Sequence, residues 1–576
     1  MDTKLNNDKR KAVFNCRCFK GIRDIIFILF CMIVSVLFVD VQAAIAQQQE
    51  LTSADDHALL YAKQMQFASD GSPVVRMRIG DGLTTLTMTP EHDFIVYPNG
   101  PGRGFVTLPG KETYTVTAQS PQAGEYRYAV ILYRARHQED LSIAATRFQS
   151  EVSETEKIAL GSIFALKGKV FDNREHLLLT SKTDDRHRAI QTLERLKAIY
   201  PDEDFELYDE LQAYPKLIIR LSNQKGDVTI TNANLLWFDF EAHGVTVHSI
   251  PDEQGVLRTM KLNGNLIVTP DSQAHLALVQ AASVETVLRG IVPAEIFPTA
   301  PQAALEAQAI AARTTLISQV GSRHQADPYH LCNKQHCQVY QGLGAATRAT
   351  DKAIEATRGR VLFSGDSLVR AYYSAHCGGS SATANETWGL PDQSYLQAKT
   401  DDADHEPSPQ TDAEMRRFIA EPPSHSDAFC AKPSSGEKQF SSFKHAHWDV
   451  TVTSEEIKKR LKAQGVTMHR IENIEILKRG PSGRVTQMRI TGDGKVYLIE
   501  RELPIRRFFG GLKSAFFVMD MTKTKQGVSS LTFHGAGFGH GVGLCQTGAI
   551  GMAQQNYTSE QILEHYYPST HIEKLW

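Results

Sequence analysis

Glu295 lies in an apolar run, Ile291-Val292-Pro293-Ala294-Glu295-Ile296-Phe297. A carboxyl group buried by such neighbours is desolvated, and desolvation raises its pKa towards neutrality. A general acid needs that state to protonate a glycosidic oxygen. The same residue type could instead cap its helix or pair with a cation such as Arg313. Further along, Cys332-Asn333-Lys334-Gln335-His336-Cys337 and Tyr372-Tyr373-Ser374-Ala375-His376-Cys377 carry a second kind of chemistry. Cys332, His336 and Cys337 can supply three zinc ligands, with Cys377 or His376 as a fourth. The same thiols could form a disulfide in an oxidising compartment. Either tie predicts that Cys332, His336 and Cys337 gather at the mouth of the glutamate site, with Cys377 close by.

A third block runs from His534 to Ala549, with glycines at 535, 537, 539, 541, 543 and 548. Alternate glycines let backbone approach a substrate or a neighbouring strand closely. No Lys follows them, so a phosphate cradle is a poor reading. His534 and His540 could orient a sugar or a catalytic group, or serve the fold alone. Tyr340, Tyr372, Tyr373 and Trp388 could stack on sugar rings or fill the core. Ser374 and Gln546 complete the candidate substrate-binding set.

These residues need a large exported scaffold. The 576 residues exceed one ordinary core, and 22 % charged with 41 % hydrophobic residues is ordinary for a globular chain. A net charge of -3 gives no reason to expect nucleic acid as a partner. The head carries Lys4, Lys9, Arg10, Lys11, Arg17, Lys20 and Arg23, then the apolar run Ile25 to Val39, then Ala44-Ile45-Ala46. That is the pattern of a signal peptide over residues 1–46, cleaved or kept as an anchor, and it predicts a periplasmic, wall-associated or secreted protein. Of eight cysteines, Cys16, Cys18 and Cys31 fall in this segment, which leaves an odd set after it.

The fold class expected is α+β and multidomain. A small β-rich domain spans 70–122, with Val74 to Ile79 and Leu83 to Met88 as a hairpin around Asp81-Gly82. An α+β module spans 123–224: a strand at Tyr126 to Tyr133, helices at Asp140 to Glu151 and Arg186 to Ile199, and a closing strand at Lys216 to Leu221. Its order resembles the SPOR-type module of cell-division proteins in topology, and a purely structural insert has the same pattern. Residues 225–576 form the catalytic domain. A helix starts near Val284 and an Ala-rich one spans Ala303 to Leu316; a surface excursion lies near 400–440.

Six blocks occur here in one family's order: "VLRGIVPAEIFPTAPQAALEAQAIAARTT", "HCQVYQG", "YYSAHCGGSSATANETWG", "SGRV", "LKSAFF" and "GAGFGHGVGLCQTGAIGMAQ" with its "ILEHYYPSTHIEKL" tail. Together they resemble the stage II sporulation protein D (SpoIID/LytB) family over Gly226 to Trp576. The resemblance implies binding of peptidoglycan glycan strands. It also implies lytic transglycosylase activity on strands stripped of their stem peptides. It places the family's essential glutamate on Glu295 and its zinc region on Cys332, His336 and Cys337. Ile296 replaces the usual Met, and Cys545 a common Ser. The implied reaction cuts the MurNAc–GlcNAc bond and leaves a 1,6-anhydro end, with one carboxyl group as both acid and base. Other relatives imply a different role, a glycan-binding protein that stimulates a cell-wall amidase. A third reading, a zinc peptidase, lacks the H-E-x-x-H helix that would support it.

Overall fold

The computed structural model describes residues 56–576, except 136–137, 201–202, 204, 253, 404–406, 421–427 and 432–439. The export segment lies outside the described residues. The chain divides into two units, Met1–Leu59 and Leu60–Trp576, and the second holds every element that builds the site. Its class is α+β.

A twelve-stranded sheet dominates the described residues. Its main path runs Gln66–Phe67, Pro73–Leu83, Leu276–Ser283, Leu257–Pro270, Leu236–Pro251, Thr85–Pro90, Tyr114–Gln122, Lys216–Asn223 and Thr229–Ala233. The expected boundaries at 122 and 225 therefore cut through one sheet. The expected hairpin does not form either. Pro73–Leu83 pairs with Leu276–Ser283, while Thr85–Pro90 pairs with Tyr114–Gln122 and Leu236–Pro251. The reason is burial. Val75, Met77 and Ile79 on one face and Arg76 and Arg78 on the other are all buried, so this strand needs long-range neighbours on both sides.

The inserted module is smaller than expected. Its sheet runs Glu206–Ala213, Glu125–Ala135, Glu175–Thr180, Thr155–Leu160, with helices Asp140–Arg147 and Arg186–Ile199 between strands. This is a split β-α-β order with its own apolar core around Val130, Leu178, Leu196 and Phe205. The strand at Lys216–Asn223 belongs to the large sheet instead, because Leu217, Ile219 and Leu221 alternate into the main core.

Against that sheet packs a helical layer. Helix Val284–Glu295 follows its strand directly, capped by Ser283, whose hydroxyl accepts from Thr286 N at 3.2 Å. Helix Gln302–Gln319 is buried on nearly every side by Val284–Glu295, Arg348–Ala356, Gln546–Gln554 and Ser559–Tyr566. Its alanines allow that close approach from all directions. Residues 448–533 form a further core of their own, with two three-stranded sheets and Ile457, Leu461, Met488, Ile505 and Phe533 at its centre.

Candidate active site

Glu295 is the last residue of helix Val284–Glu295. Pro293 lies inside the final turn, and the chain leaves in an extended conformation at Ile296. A proline there removes one backbone donor, so the turn ends within a few residues and the acid sits at its rim. The loop carrying Val339 folds back onto the same helix. Gly290 makes this possible: a Cβ there would lie 2.4 Å from the Tyr340 ring. Gln341 N donates to Gly290 O at 3.2 Å, and Val339 N donates to Glu295 Oε1 at 3.0 Å.

Burial pushes the Glu295 carboxyl up from 4.5 to about 7, against the opposing hydrogen bond from Val339 and the nearby Tyr373 hydroxyl. The residue is only half-buried, so its carboxyl is desolvated yet still borders solvent. Arg313 is not its partner. That guanidinium is fully buried and pairs with Glu285 at 2.7 Å.

The phenol of Tyr373 is buried against Glu295, and burial and that charge hold it well above the usual range. Tyr373 and Ser374 form a two-residue strand parallel to Leu544-Cys545. This joins the acid to the glycine-rich block, where Gly541 N donates to Ser374 Oγ at 3.2 Å. Tyr372 lies 4.7 Å from Trp388 and 6.5 Å from His540 between ring centres. Burial, with the charges of Arg484 and Arg506, lowers His540 to about 3, so the ring is neutral. Its Nδ1 accepts from Val542 N at 3.0 Å.

Other expected substrate contacts are placed elsewhere. Tyr340 is in the core, its hydroxyl donating to Gln280 Oε1 at 2.5 Å. Gln546 is buried and donates to Gln308 Oε1 at 3.2 Å. His534 lies on strand Gly527–Gly535, facing Asp449 at 2.6 Å and Asp520 at 3.2 Å. It lies on the sheet that Gly527–Gly535 forms with Trp448–Thr453, not on the strand pair beside Glu295. Two aromatic rings were not anticipated: Phe297 and Phe538 are exposed, the first just past the acid and the second in the glycine-rich block.

The first cysteine block does gather. Ligand atoms of His324, Cys332, His336 and Cys337 all lie within 4.8 Å of one another. Cys337 Sγ is 3.4 Å from His324 Nε2 and 3.5 Å from His336 Nδ1. His324 Nδ1 faces Asp327 Oδ2 at 3.0 Å, the outer partner that metal-bound imidazoles commonly have. Both thiols are free. Cys377 is not a member; it lies in a second group with Asp401, Cys430 and Cys545. His324 takes the fourth place. It stands outside the Cys-His-Cys block, beside an equally plain His330 that is buried against Arg76, so spacing alone does not select it.

Two families match the chain. Residues 272–363 match the family described as Stage II sporulation protein, and residues 382–543 match a domain of unknown function, DUF8618. The first covers both helices that carry and back Glu295; the second covers the excursion and the 448–533 core. An uncharacterized protein of Brachyspira hyodysenteriae is 24% identical over 316 residues, 55% of this chain and 73% of that protein. A Bacillus subtilis protein named Amidase enhancer is 28% identical over 295 residues, 49% of this chain and 40% of its own length.

Proposed function

We propose that this chain, which carries a stage II sporulation protein domain over residues 272–363, acts on the bacterial cell wall as a peptidoglycan lytic transglycosylase. The observation that carries the reading is the Glu295 carboxyl: desolvated, held at about 7, with no cation against it among the described residues, and still bordering solvent. Near neutral pH it can give a proton and take one back. In the first half of the reaction Glu295 protonates the oxygen between N-acetylmuramic acid and N-acetylglucosamine, and that bond breaks. In the second half the carboxylate takes the proton of the muramyl C6 hydroxyl, whose oxygen closes onto the anomeric carbon. The proton count returns to its start and no water is consumed. A second carboxylate, as hydrolases use, is not required.

Phe297, Phe538 and the Tyr372–Trp388 pair offer ring faces for sugars. His324, Cys332, His336 and Cys337 would hold a zinc ion, which would cross-link the chain on either side of Cys332 just ahead of Val339. The basic and apolar head supports export to the compartment where this substrate lies.

The decisive experiment is mass spectrometry of digests of intact and peptide-stripped peptidoglycan. Anhydro-muramyl ends support the reading, whereas reducing ends indicate a hydrolase. One specific observation favours a second role. The relative named Amidase enhancer points to a partner amidase. In that case the purified chain leaves glycan uncut and raises the rate of an added amidase.

A further inference from the structure

Cys377, Asp401, Cys430 and Cys545 come from four separate stretches and meet in the interior. All four are buried, at 0 %, 2 %, 1 % and 0 % exposure. Their ligand atoms lie within 4.8 Å of one another. Cys377 Sγ is 3.6 Å from Cys430 Sγ and 3.4 Å from Asp401 Oδ2. Disulfide sulfurs stand about 2.05 Å apart. A tetrahedral zinc ion, with bonds of about 2.3 Å to sulfur and about 2.0 Å to oxygen, holds its ligands about 3.8 Å and about 3.5 Å apart. The observed spacings match the second pattern.

The surroundings aim these atoms inwards. Asp401 Oδ1 accepts from Tyr566 Oη at 2.7 Å and faces His565 Nε2 at 3.2 Å, while Oδ2 accepts from Cys430 N at 3.2 Å and so is turned towards the cluster. Cys545 Sγ accepts from Cys377 N at 3.2 Å and Gly548 N at 3.3 Å. Gly548 lets its helix come this close, since a Cβ there would lie 2.7 Å from Asp401 Oδ2. Such partners orient metal ligands. For packing alone, a buried carboxylate beside three thiols is a costly choice.

We propose that Cys377, Asp401, Cys430 and Cys545 form a closed structural zinc site, distinct from the group at His324, Cys332, His336 and Cys337. Three sulfurs and one oxygen suit zinc and do not suit magnesium or calcium. Four buried ligands leave no open position for catalysis. Asp401 and Cys430 belong to the 400–440 excursion. Cys545 and Ser374 are paired residues of the strand pair that also carries Tyr373 to Glu295, and Cys377 follows shortly after. The ion thus pins the excursion to the wall of the acid site.

The test is zinc content per chain by inductively coupled plasma mass spectrometry, on full-length protein purified without chelator. Three chains are compared: wild type, Cys430→Ser and the double variant Cys332→Ser/Cys337→Ser. One equivalent should be lost in Cys430→Ser and kept in the double variant. Zinc content unchanged by Cys430→Ser overturns the proposal, and so does a double variant without zinc. Non-reducing peptide mapping of the wild type needs no variant to fold: free Cys377 and Cys430 support the site, and a Cys377–Cys430 disulfide overturns it. Neither result depends on glycan cleavage, so failure here leaves the transglycosylase reading standing, and the reverse holds too.

Discussion

Helix Val284–Glu295 carries two glutamates shielded from solvent, Glu285 buried and Glu295 half-buried, near its two ends, and they are opposites. Glu285 is saturated. Its carboxylate accepts from Arg313 Nε at 3.0 Å and Nη2 at 2.7 Å, from Gly359 N at 3.0 Å and from Trp576 Nε1 at 3.1 Å. Glu295 accepts one backbone bond, from Val339, and lies against a neutral phenol. Burial without a cation leaves Glu295 able to hold a proton at neutral pH; burial with one makes Glu285 a fastener that ties helix Gln302–Gln319 and the C-terminal Trp576 together. Pairing, not residue type or helix, separates the proposed acid from the structural glutamate.

The largest expected effect falls on catalysis. Glu295→Gln keeps shape and the bond from Val339 but cannot cycle a proton. Anhydro-muramyl product should drop by at least about 10²–10⁴-fold, with glycan binding retained and the unfolding midpoint no lower than that of wild type. Wild-type turnover in this variant would falsify the assignment. Glu285→Gln should do the reverse. It leaves the Arg313 charge buried without its partner, which costs about 3–5 kcal/mol of stability, read as a lower denaturant midpoint. If Glu285→Gln unfolds like wild type while losing activity outright, the contrast between the two ends is wrong.

Acidity sharpens the contrast further. Burial raises Glu295 from 4.5 to about 7, so the folded chain keeps a proton that the unfolded chain releases between those values. The stabilisation is complete below pH 4.5 and is lost as pH rises through about 7; its size is on the order of 3 kcal/mol. Two measurements follow. Cleavage should fall about tenfold per pH unit above 7, because the acid must be protonated. Glu295→Gln should match wild-type stability near pH 4.5 and exceed it near pH 9. Equal stability of the two chains at both pH values would remove the desolvation argument.

The desolvated setting of Glu295 and the gathering of Cys332, His336 and Cys337 were legible because their signals are local. An apolar run around Glu295 and a Cys-x4-Cys pair enclosing a histidine each put the relevant atoms within one turn or loop. What failed to show depends on distant chain. His324 joins Cys332 only through folding, and Asp401 and Cys430 reach Cys377 from an excursion whose polar composition suggests a solvated surface. The Asp81-Gly82 turn suggested a hairpin, but two buried strand faces prefer Leu276–Ser283 from far along the chain. Tyr340 reads as a possible sugar platform until Gly290 shows where the ring goes.

The smallest expected effect is on Tyr373→Phe. The Tyr373 hydroxyl bears on the Glu295 carboxyl and lowers its pKa, because a donor favours the charged form. Removing it leaves the apolar ring and takes away only that donor. The Glu295 pKa should then rise above about 7, and the descending limb of the pH–rate profile should move to higher pH. A full hydrogen bond to a charged group corresponds to about 1–2 pKa units, and the looser approach of the Tyr373 hydroxyl makes the shift smaller than that. At pH 8 the variant therefore has more of its acid protonated than wild type, while at pH 5 both are fully protonated. A limb that moves to lower pH would mean that Tyr373 stabilises the neutral acid instead. That result would leave desolvation alone to account for the difference between Glu295 and Glu285.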